Sequence, residues 1–459
     1  MKKSNPKTSS DNYDVVVVGA GFSGMYLVKK LRDLGLNFVI LEQGGDVGGT
    51  WYWNRYPGAR CDIPTVEYSY SFDKELEQSW DWQELMAAQP EILTYANQVA
   101  DNYDLRDSMR FNTRVASADF DENEHSWTLV TDTGDEYLAR YFIMATGCLS
   151  VPNWPDIEGR EDYAGRTIHT GLWPHEKVDF TGLRVGIIGT GSSAVQSIPE
   201  IAKTAKELKV FQRTPVYTFP AGNHPLDDDF RADIKARYED IRETQRGSLG
   251  GMAMFGVMGR LQEVGTEKIA DCSEEEREQR LVEEGLPSLR RYADVGLDLE
   301  ANEMACDLYR RHIADIIDDP ETAKALMPRG YPMGCKRQVV DIGYYEAFNR
   351  DNVSLIDLRE DPIERINESG VCTAGGQHDV DVLIYATGFD AMTGAINNVS
   401  ITGRSGTKLK EKWENGPRSY LGLQIAGFPN LFTVTGPGSP SVLSNMLVSI
   451  EQHCDWITD

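Results

Sequence analysis

The chain has 459 residues, enough for about two to four structural units. Its net charge of −26 argues against a nucleic-acid partner, because phosphate binding wants a basic surface. No run approaches the roughly 20 apolar residues that span a bilayer, and seven scattered cysteines with no CxxC pair indicate neither a disulfide framework nor a zinc site.

The N-terminal MKKSNPKTSSDNYD has no apolar stretch of signal-peptide length, so the expected compartment is the cytoplasm. Residues 1–10 read as a disordered tail. Tyr13 to Val18 is a β-branched apolar run ending at Gly19, the pattern of a buried parallel strand and a tight turn. Met25 to Leu34 reads as a helix, and Phe38 to Leu41 as a second strand ending at Glu42, completing a βαβ unit. Tyr141 to Gly147 is a further strand-like run that closes on Ala145-Thr146-Gly147. A second unit opens near residue 184, with strand Val185 to Ile188, a glycine turn, helix Ala194 to Ala205 and strand Leu208 to Phe211. Residues 222–330 are rich in Glu, Arg, Asp and Ala at helical spacing, and read as a helical insertion inside the second domain. The strand Val382 to Tyr385 then leads into Ala386-Thr387-Gly388, a near copy of the earlier turn.

Gly19-x-Gly21-x-x-Gly24 follows a strand and opens a helix, so a pyrophosphate can approach the helix N-terminus closely. Glu42, at the end of the next strand, can accept hydrogen bonds from both ribose hydroxyls. The glycines alone are a weak signal; with both strands, the helix and the acid in place they specify a dinucleotide such as FAD. Gly189-x-Gly191-x-x-Ala194 is a second copy, but its following strand ends in Gln212-Arg213-Thr214. A carboxylate there would repel a 2′-phosphate, whereas Arg213 and Thr214 can hydrogen-bond one, which favours NADPH over NADH. Thr190, Ser192 and Ser193 in this turn, and Gln196 on its helix, count as coenzyme contacts.

The expected fold class is therefore α/β, with two Rossmann-like dinucleotide-binding domains and a helical insertion in the second. Residues 1–148 and 381–459 are expected to form the FAD-binding domain, 149–221 and 331–380 the NADPH-binding domain, and 222–330 the insertion. Two such sites imply electron flow from NADPH to a flavin. Disulfide reductases carry a close cysteine pair after the first βαβ unit; here that segment is Gly48-Gly49-Thr50-Trp51-Tyr52-Trp53, and no second cysteine lies near Cys61 in the sequence.

Tyr163-x-Gly165-x-x-x-His169-x-x-x-Trp173-Pro174 resembles the Baeyer–Villiger monooxygenase signature FxGxxxHxxxWP, with Tyr in the Phe position. Gly49-x-Trp51-x-x-x-x-Tyr56-Pro57-Gly58-x-x-x-Asp62 resembles the second signature of that family. Lys336-Arg337, Gly343-Tyr344-Tyr345-Glu346, Ala386-Thr387-Gly388-Phe389-Asp390 and Gly436-Pro437-Gly438-Ser439-Pro440 are also family-like, so the resemblance runs from about Tyr13 to Trp456, nearest to the phenylacetone and steroid monooxygenase branch. It implies conversion of a small-molecule ketone to an ester or lactone with NADPH and O2, through a flavin C4a-peroxide. It assigns Arg337 as the fixed cation that stabilises the anionic adduct, with Asp62 beside it. Trp51 and Tyr68 are expected to line the flavin, with Gly49, Thr50 and Val115 also at that cofactor. Lys336 joins Arg213 at the 2′-phosphate. Met446, at the end of the Ser441 to Met446 segment, is counted with the site as an adaptable apolar wall, core packing being its other reading. His169 is read as a linker rather than a proton-transfer group.

Family members continue past the helix that holds Ser449 to Trp456, so a C-terminal segment covering the site is expected to be missing here. Two alternatives stay open: an N- or S-oxygenating flavin monooxygenase, and an NADPH oxidase or inactive flavin-binding fragment. A monomer without nucleic-acid or membrane partners is expected.

Overall fold

In the opening strand, Asp11–Val18, the residues Val15, Val16 and Val17 are all buried, as a central parallel strand covered on both faces requires. This computed structural model describes residues 11–253, 265–336 and 339–459. The opening strand lies between Phe38–Leu41 and Glu136–Met144, parallel to both. The first sheet has eight strands. Its antiparallel part is formed by Val115–Asp121, Ser126–Thr131 and the first half of Glu136–Met144. Late segments complete it: Leu431–Thr433 adds to Glu136–Met144, and Ser400–Thr402 to Val115–Asp121. The C-terminal helix Met446–Thr458 packs on helix Phe22–Asp33, where Tyr26 Oη donates to Asp455 Oδ1 at 2.8 Å.

The second sheet has five parallel strands, in the order Val353–Asp357, Glu207–Gln212, Arg184–Ile188, Val382–Tyr385 and Arg166–His169. This corrects the boundary expected at residue 381. Val382–Tyr385 is an interior strand of the second sheet, all four residues buried, and the chain rejoins the first sheet only at Ser400–Thr402.

The helical insertion is also not one body inside the second domain. Helix Asp228–Gly247 buries Ile234, Tyr238 and Ile241 in the core of the first unit, with Tyr70, Trp82 and Leu85. The chain reaches it through residues 223–226, where Asn223 Oδ1 accepts from the Met86 N–H at 2.8 Å and the Leu226 N–H donates to Gln83 O at 2.8 Å. Helices Glu274–Glu284 and Leu299–Ile316 contribute Leu281, Leu308 and Ile313 to the second core instead. The physical reason is that a stripe of apolar residues at helical spacing fits any complementary core, and the stripe of the first helix faces one core while those of the other two face the second. No helix among the described residues is long and apolar enough to cross a membrane.

Candidate active site

The two glycine turns are built alike. Gly19 has φ +110°, and an added Cβ would sit 2.5 Å from Ala145 O; Gly189 has φ +108°, and an added Cβ would sit 2.5 Å from Ala386 O. The Gly19 N–H donates to Leu41 O at 2.9 Å and the Gly189 N–H to Phe211 O at 3.0 Å. Each turn is thus pressed between the end of the next strand and an Ala-Thr-Gly turn, a place only glycine fits. At Gly24 a Cβ would collide with Gly19 O, which fixes the close approach of helix and strand.

Gly21 and Gly191 are the N-caps of helices Phe22–Asp33 and Ser192–Ala202, and neither helix has a side chain capping its first turn. Both helix ends therefore present backbone N–H groups with the positive end of the helix dipole, a setting suited to pyrophosphate. A Cβ on Gly191 would meet nothing within 4 Å. Across from Gly21 lies Gly49, φ +52°, whose added Cβ would come 2.8 Å from the Gly21 Cα. The Gly48-Gly49-Thr50-Trp51 segment thus closes the first cradle without side chains in the way. Thr50 starts the short helix Thr50–Trp53 with its side chain exposed.

At the strand end of the first cradle, Glu42 is buried. Its Oε2 accepts from the Ala20 N–H at 2.7 Å and its Oε1 from the Gly44 N–H at 2.6 Å. Burial lifts its carboxyl above the usual range, opposed by those two donors. The Thr113 N–H donates to Glu42 O at 2.8 Å, which brings the start of strand Val115–Asp121 alongside. The Val115 side chain is buried in the sheet core, so only its backbone is available to a ligand. Tyr52, not singled out in the sequence, completes this end: its Oη accepts from the Gly45 N–H at 2.9 Å.

At the second cradle the strand ends in an exposed Arg213 and a half-buried Thr214. Thr190 Oγ1 donates to Thr214 O at 3.0 Å, holding that end against the glycine turn. Tyr331 Oη donates to Pro215 O at 2.6 Å, and Lys336 Nζ sits 4.2 Å over the Tyr331 ring. Lys336 is therefore gathered to the same edge as Arg213. This donor set suits a phosphate, as Glu42 suits a ribose diol. Ser193 Oγ is 3.0 Å from Thr170 Oγ1, and Ser192 is half-buried beside it. Gln196 is committed to the junction between the two units: its Oε1 accepts from Tyr56 Oη at 2.9 Å and its Nε2 donates to Arg60 O at 3.2 Å.

Between the cradles, Trp51 Nε1 donates to Tyr68 Oη at 3.1 Å, with the rings edge to face at 5.9 Å. Gln89 Nε2 donates to Trp51 O at 2.5 Å. Asn445 caps the C-terminal helix by accepting from the Leu447 N–H, and its Nδ2 donates to Glu67 O at 2.8 Å. That bond sets Met446, half-buried against the first core, beside the Glu67–Tyr68 pair. Asp62 is half-buried, and burial, with a smaller contribution from the nearby Asp62 charge, pushes the Tyr56 hydroxyl above its usual range. Arg337, expected beside it, lies outside the described residues.

His169 is 1% exposed. Its Nδ1 accepts from the Gly171 N–H at 3.0 Å, and its Nε2 faces Thr387 Oγ1 at 3.4 Å. Thr387 Oγ1 donates in turn to Asn153 O at 2.6 Å, in the stretch linking the two units. Both ring nitrogens of His169 are thus engaged within the protein. Tyr163, in the Phe position of the signature, spends its extra hydroxyl on a buried bond to Val380 O at 3.0 Å.

Residues 16–253 match the family described as pyridine nucleotide-disulphide oxidoreductases. None of the seven cysteines of this chain forms a disulfide. A Baeyer–Villiger monooxygenase of Pseudooceanicola batsensis is 41% identical over 468 residues, covering 100% of this chain and 83% of that protein. Phenazine N-monooxygenase PhzNO1 of Lysobacter antibioticus is 40% identical over 461 residues, covering 99% and 82%. The structure of an oxidized steroid monooxygenase bound to NADP superposes with a TM-score of 0.90 at 49% identity, covering 98% of this chain and 85% of that one. With its two cradles, its acid and basic strand ends and the signatures between them, the chain belongs to the Baeyer–Villiger monooxygenase family.

Proposed function

We infer that the first cradle takes the pyrophosphate and ribose of FAD, and the second takes NADPH. The chain is an FAD- and NADPH-dependent Baeyer–Villiger monooxygenase that converts a ketone to an ester or lactone. One oxygen atom of O2 enters the product and the other leaves as water, while NADPH supplies two electrons. The observation that carries this assignment of the cradles is their matched geometry with opposite strand ends, Glu42 in one and Arg213 in the other.

Bound flavin, once reduced, supplies the activation of O2. The roles of the protein groups follow from chemistry. Glu42 accepts from the ribose hydroxyls of FAD. Arg213, Thr214 and Lys336 hold the 2′-phosphate of NADPH, where charge-assisted bonds favour the phosphorylated coenzyme. Trp51 and Tyr68 brace the flavin and exclude water. Arg337 keeps its charge at any working pH and stabilises the oxyanion that develops on the carbonyl, while Asp62 orients it.

Anaerobic mixing with NADPH should bleach the flavin absorbance, and admission of O2 with a cyclic or aryl ketone should give the ester or lactone. Flavin bleaching followed only by hydrogen peroxide would overturn the oxygenase reading. The similarity to an N-monooxygenase supports a second reading, oxygenation at nitrogen, so an aromatic N-heterocycle belongs in the same assay. We also read the chain as a cytoplasmic monomer, a reading supported by seven cysteines that form no disulfide; light scattering of the purified protein tests the oligomeric state.

A further inference from the structure

We propose that Arg242, on the first helix of the insertion, is a positioning residue for the monooxygenase reaction, acting through the segment Glu67–Tyr70. The inference rests on placing the flavin against Trp51 and Tyr68.

Arg242 and Glu77 form an ion pair at 2.7 Å with side chains only 5% and 7% exposed. Burying two charges is costly, and an apolar pair of similar volume often stabilises as well or better. Stability alone is therefore a poor account of this arginine, and the places its other donors go are informative. Its Nη1 donates to Gln245 Oε1 at 2.9 Å. Its Nη2 donates to Ser69 Oγ at 2.8 Å and to Tyr70 O at 3.2 Å. Gln245, one turn along the same helix, donates from Nε2 to Glu67 O at 3.2 Å. The planar fork thus fixes the Glu67–Tyr70 backbone from one side.

From the other side that segment touches three walls of the first cradle. Tyr68 Oη accepts from Trp51 Nε1, next to the Gly21–Gly49 contact. Tyr70 Oη donates to Phe22 O at 2.6 Å, in the first turn of the cradle helix. Glu67 O accepts from Asn445 Nδ2, the cap that precedes Met446. Glu67–Tyr70 is a clip joining the cradle helix, the Trp51 segment and the C-terminal helix. Arg242 brings the insertion helix onto that clip, so a shift of the helix moves the aromatic wall and the Met446 wall together.

Three forms of the full-length, flavin-loaded protein test this: Arg242→Met, the double variant Arg242→Met with Glu77→Leu, and Tyr68→Phe as a control on the flavin placement. The measurements are melting temperature, visible circular dichroism of the bound flavin, and oxygenated product per NADPH consumed. Arg242→Met strands the Glu77 charge and should melt early or lose flavin. The double variant removes that charge and should regain melting temperature, yet Ser69, Tyr70 and Gln245 still lack their donor. It should keep an altered flavin dichroism and about a tenfold loss of coupling, within the range that about 1 Å of misplacement costs an oriented reaction. Recovery of parent dichroism and coupling along with melting temperature would show that the pair only stabilises, and would overturn the proposal. If Tyr68→Phe leaves the dichroism unchanged, the flavin does not lie against this wall, and both the placement and the proposal fail.

Discussion

Glu42 fastens Ala20: the carboxylate at the end of the second strand accepts from a backbone N–H inside the glycine turn at 2.7 Å, while its other oxygen accepts from Gly44 at 2.6 Å. The same side chain proposed to meet the ribose also holds the pyrophosphate turn in shape. Glu42→Gln should therefore weaken flavin binding beyond the loss of one acceptor. Whichever way the amide is turned, its NH2 faces a backbone donor in a buried site, and an unsatisfied buried group costs about 1–3 kcal/mol. The flavin-to-protein absorbance ratio after purification should fall well below that of the parent. An unchanged ratio would remove Glu42 from the site.

Much of this was legible beforehand because it is local. The valine run of the opening strand, the glycines at Gly19 and Gly189, and the acid or basic residue at each strand end all lie within short stretches, and their geometry follows from sterics and periodicity. The exchange of elements between units was not legible. Ile234, Tyr238 and Ile241 make an apolar stripe that says helix but not which core it faces. Val382–Tyr385 reads as a buried strand, yet nothing in it names its neighbours. Arg242 reads as one more charged residue on a polar helix; only the pairing with Glu77, distant in sequence, reveals it.

Tyr163→Phe restores the usual signature residue and should destabilise this protein. Its hydroxyl, whose pKa is pushed up to about 12, first by burial and then by the Asp381 charge, donates to the buried Val380 carbonyl. A net hydrogen bond is worth about 0.5–1.5 kcal/mol, so the melting temperature should drop by about 1–2 °C in a chain of this size while flavin reduction by NADPH stays near the parent rate. An unchanged melting temperature would mean that the bond contributes nothing.

His453 gives stability a pH dependence where the C-terminal helix meets Thr435. It is buried in the C-terminal helix, and its Nδ1 accepts from the Thr435 N–H at 3.0 Å. Burial lowers its pKa in the folded protein, so the unfolded chain takes up the proton first. The stabilisation is whole above the unfolded histidine value of about 6.5, and is lost as pH falls from there through the folded pKa. His453→Gln keeps an acceptor for Thr435 without titrating. Between about pH 7.5 and about pH 5.5 the parent should lose more melting temperature than the variant. Parallel losses would rule His453 out as the cause.

Arg337→Ala should abolish ester or lactone formation and spare FAD binding. The expected role is electrostatic, and removing one donor to a developing oxyanion costs about 10²–10³ in rate. Arg337→Lys keeps the charge but not the fork, and should fall between parent and alanine. Product is followed by gas chromatography with flavin content measured alongside. Near-parent oxygenation by the alanine variant would assign the cation elsewhere.

Coenzyme choice offers the sharpest check on the second cradle. Arg213 is exposed and forms no ion pair with any described residue, so its charge is available to a ligand. Lys336 reaches the same edge differently: it stacks on Tyr331, whose hydroxyl is anchored on Pro215 O, two residues past Arg213. A charge-assisted contact to the 2′-phosphate is worth about 1.5–3 kcal/mol. Arg213→Ala should therefore raise the Kd for NADPH about 10- to 150-fold and leave that for NADH nearly unchanged, since NADH has no phosphate to lose. Lys336→Ala should act in the same direction. Tyr331→Leu should mimic Lys336→Ala in part, because the lysine would lose the ring that places it. Stopped-flow reduction of the flavin at varied coenzyme concentration separates the two coenzymes. If Arg213→Ala weakens NADH as much as NADPH, the residue steadies the fold of the turn and does not read the phosphate.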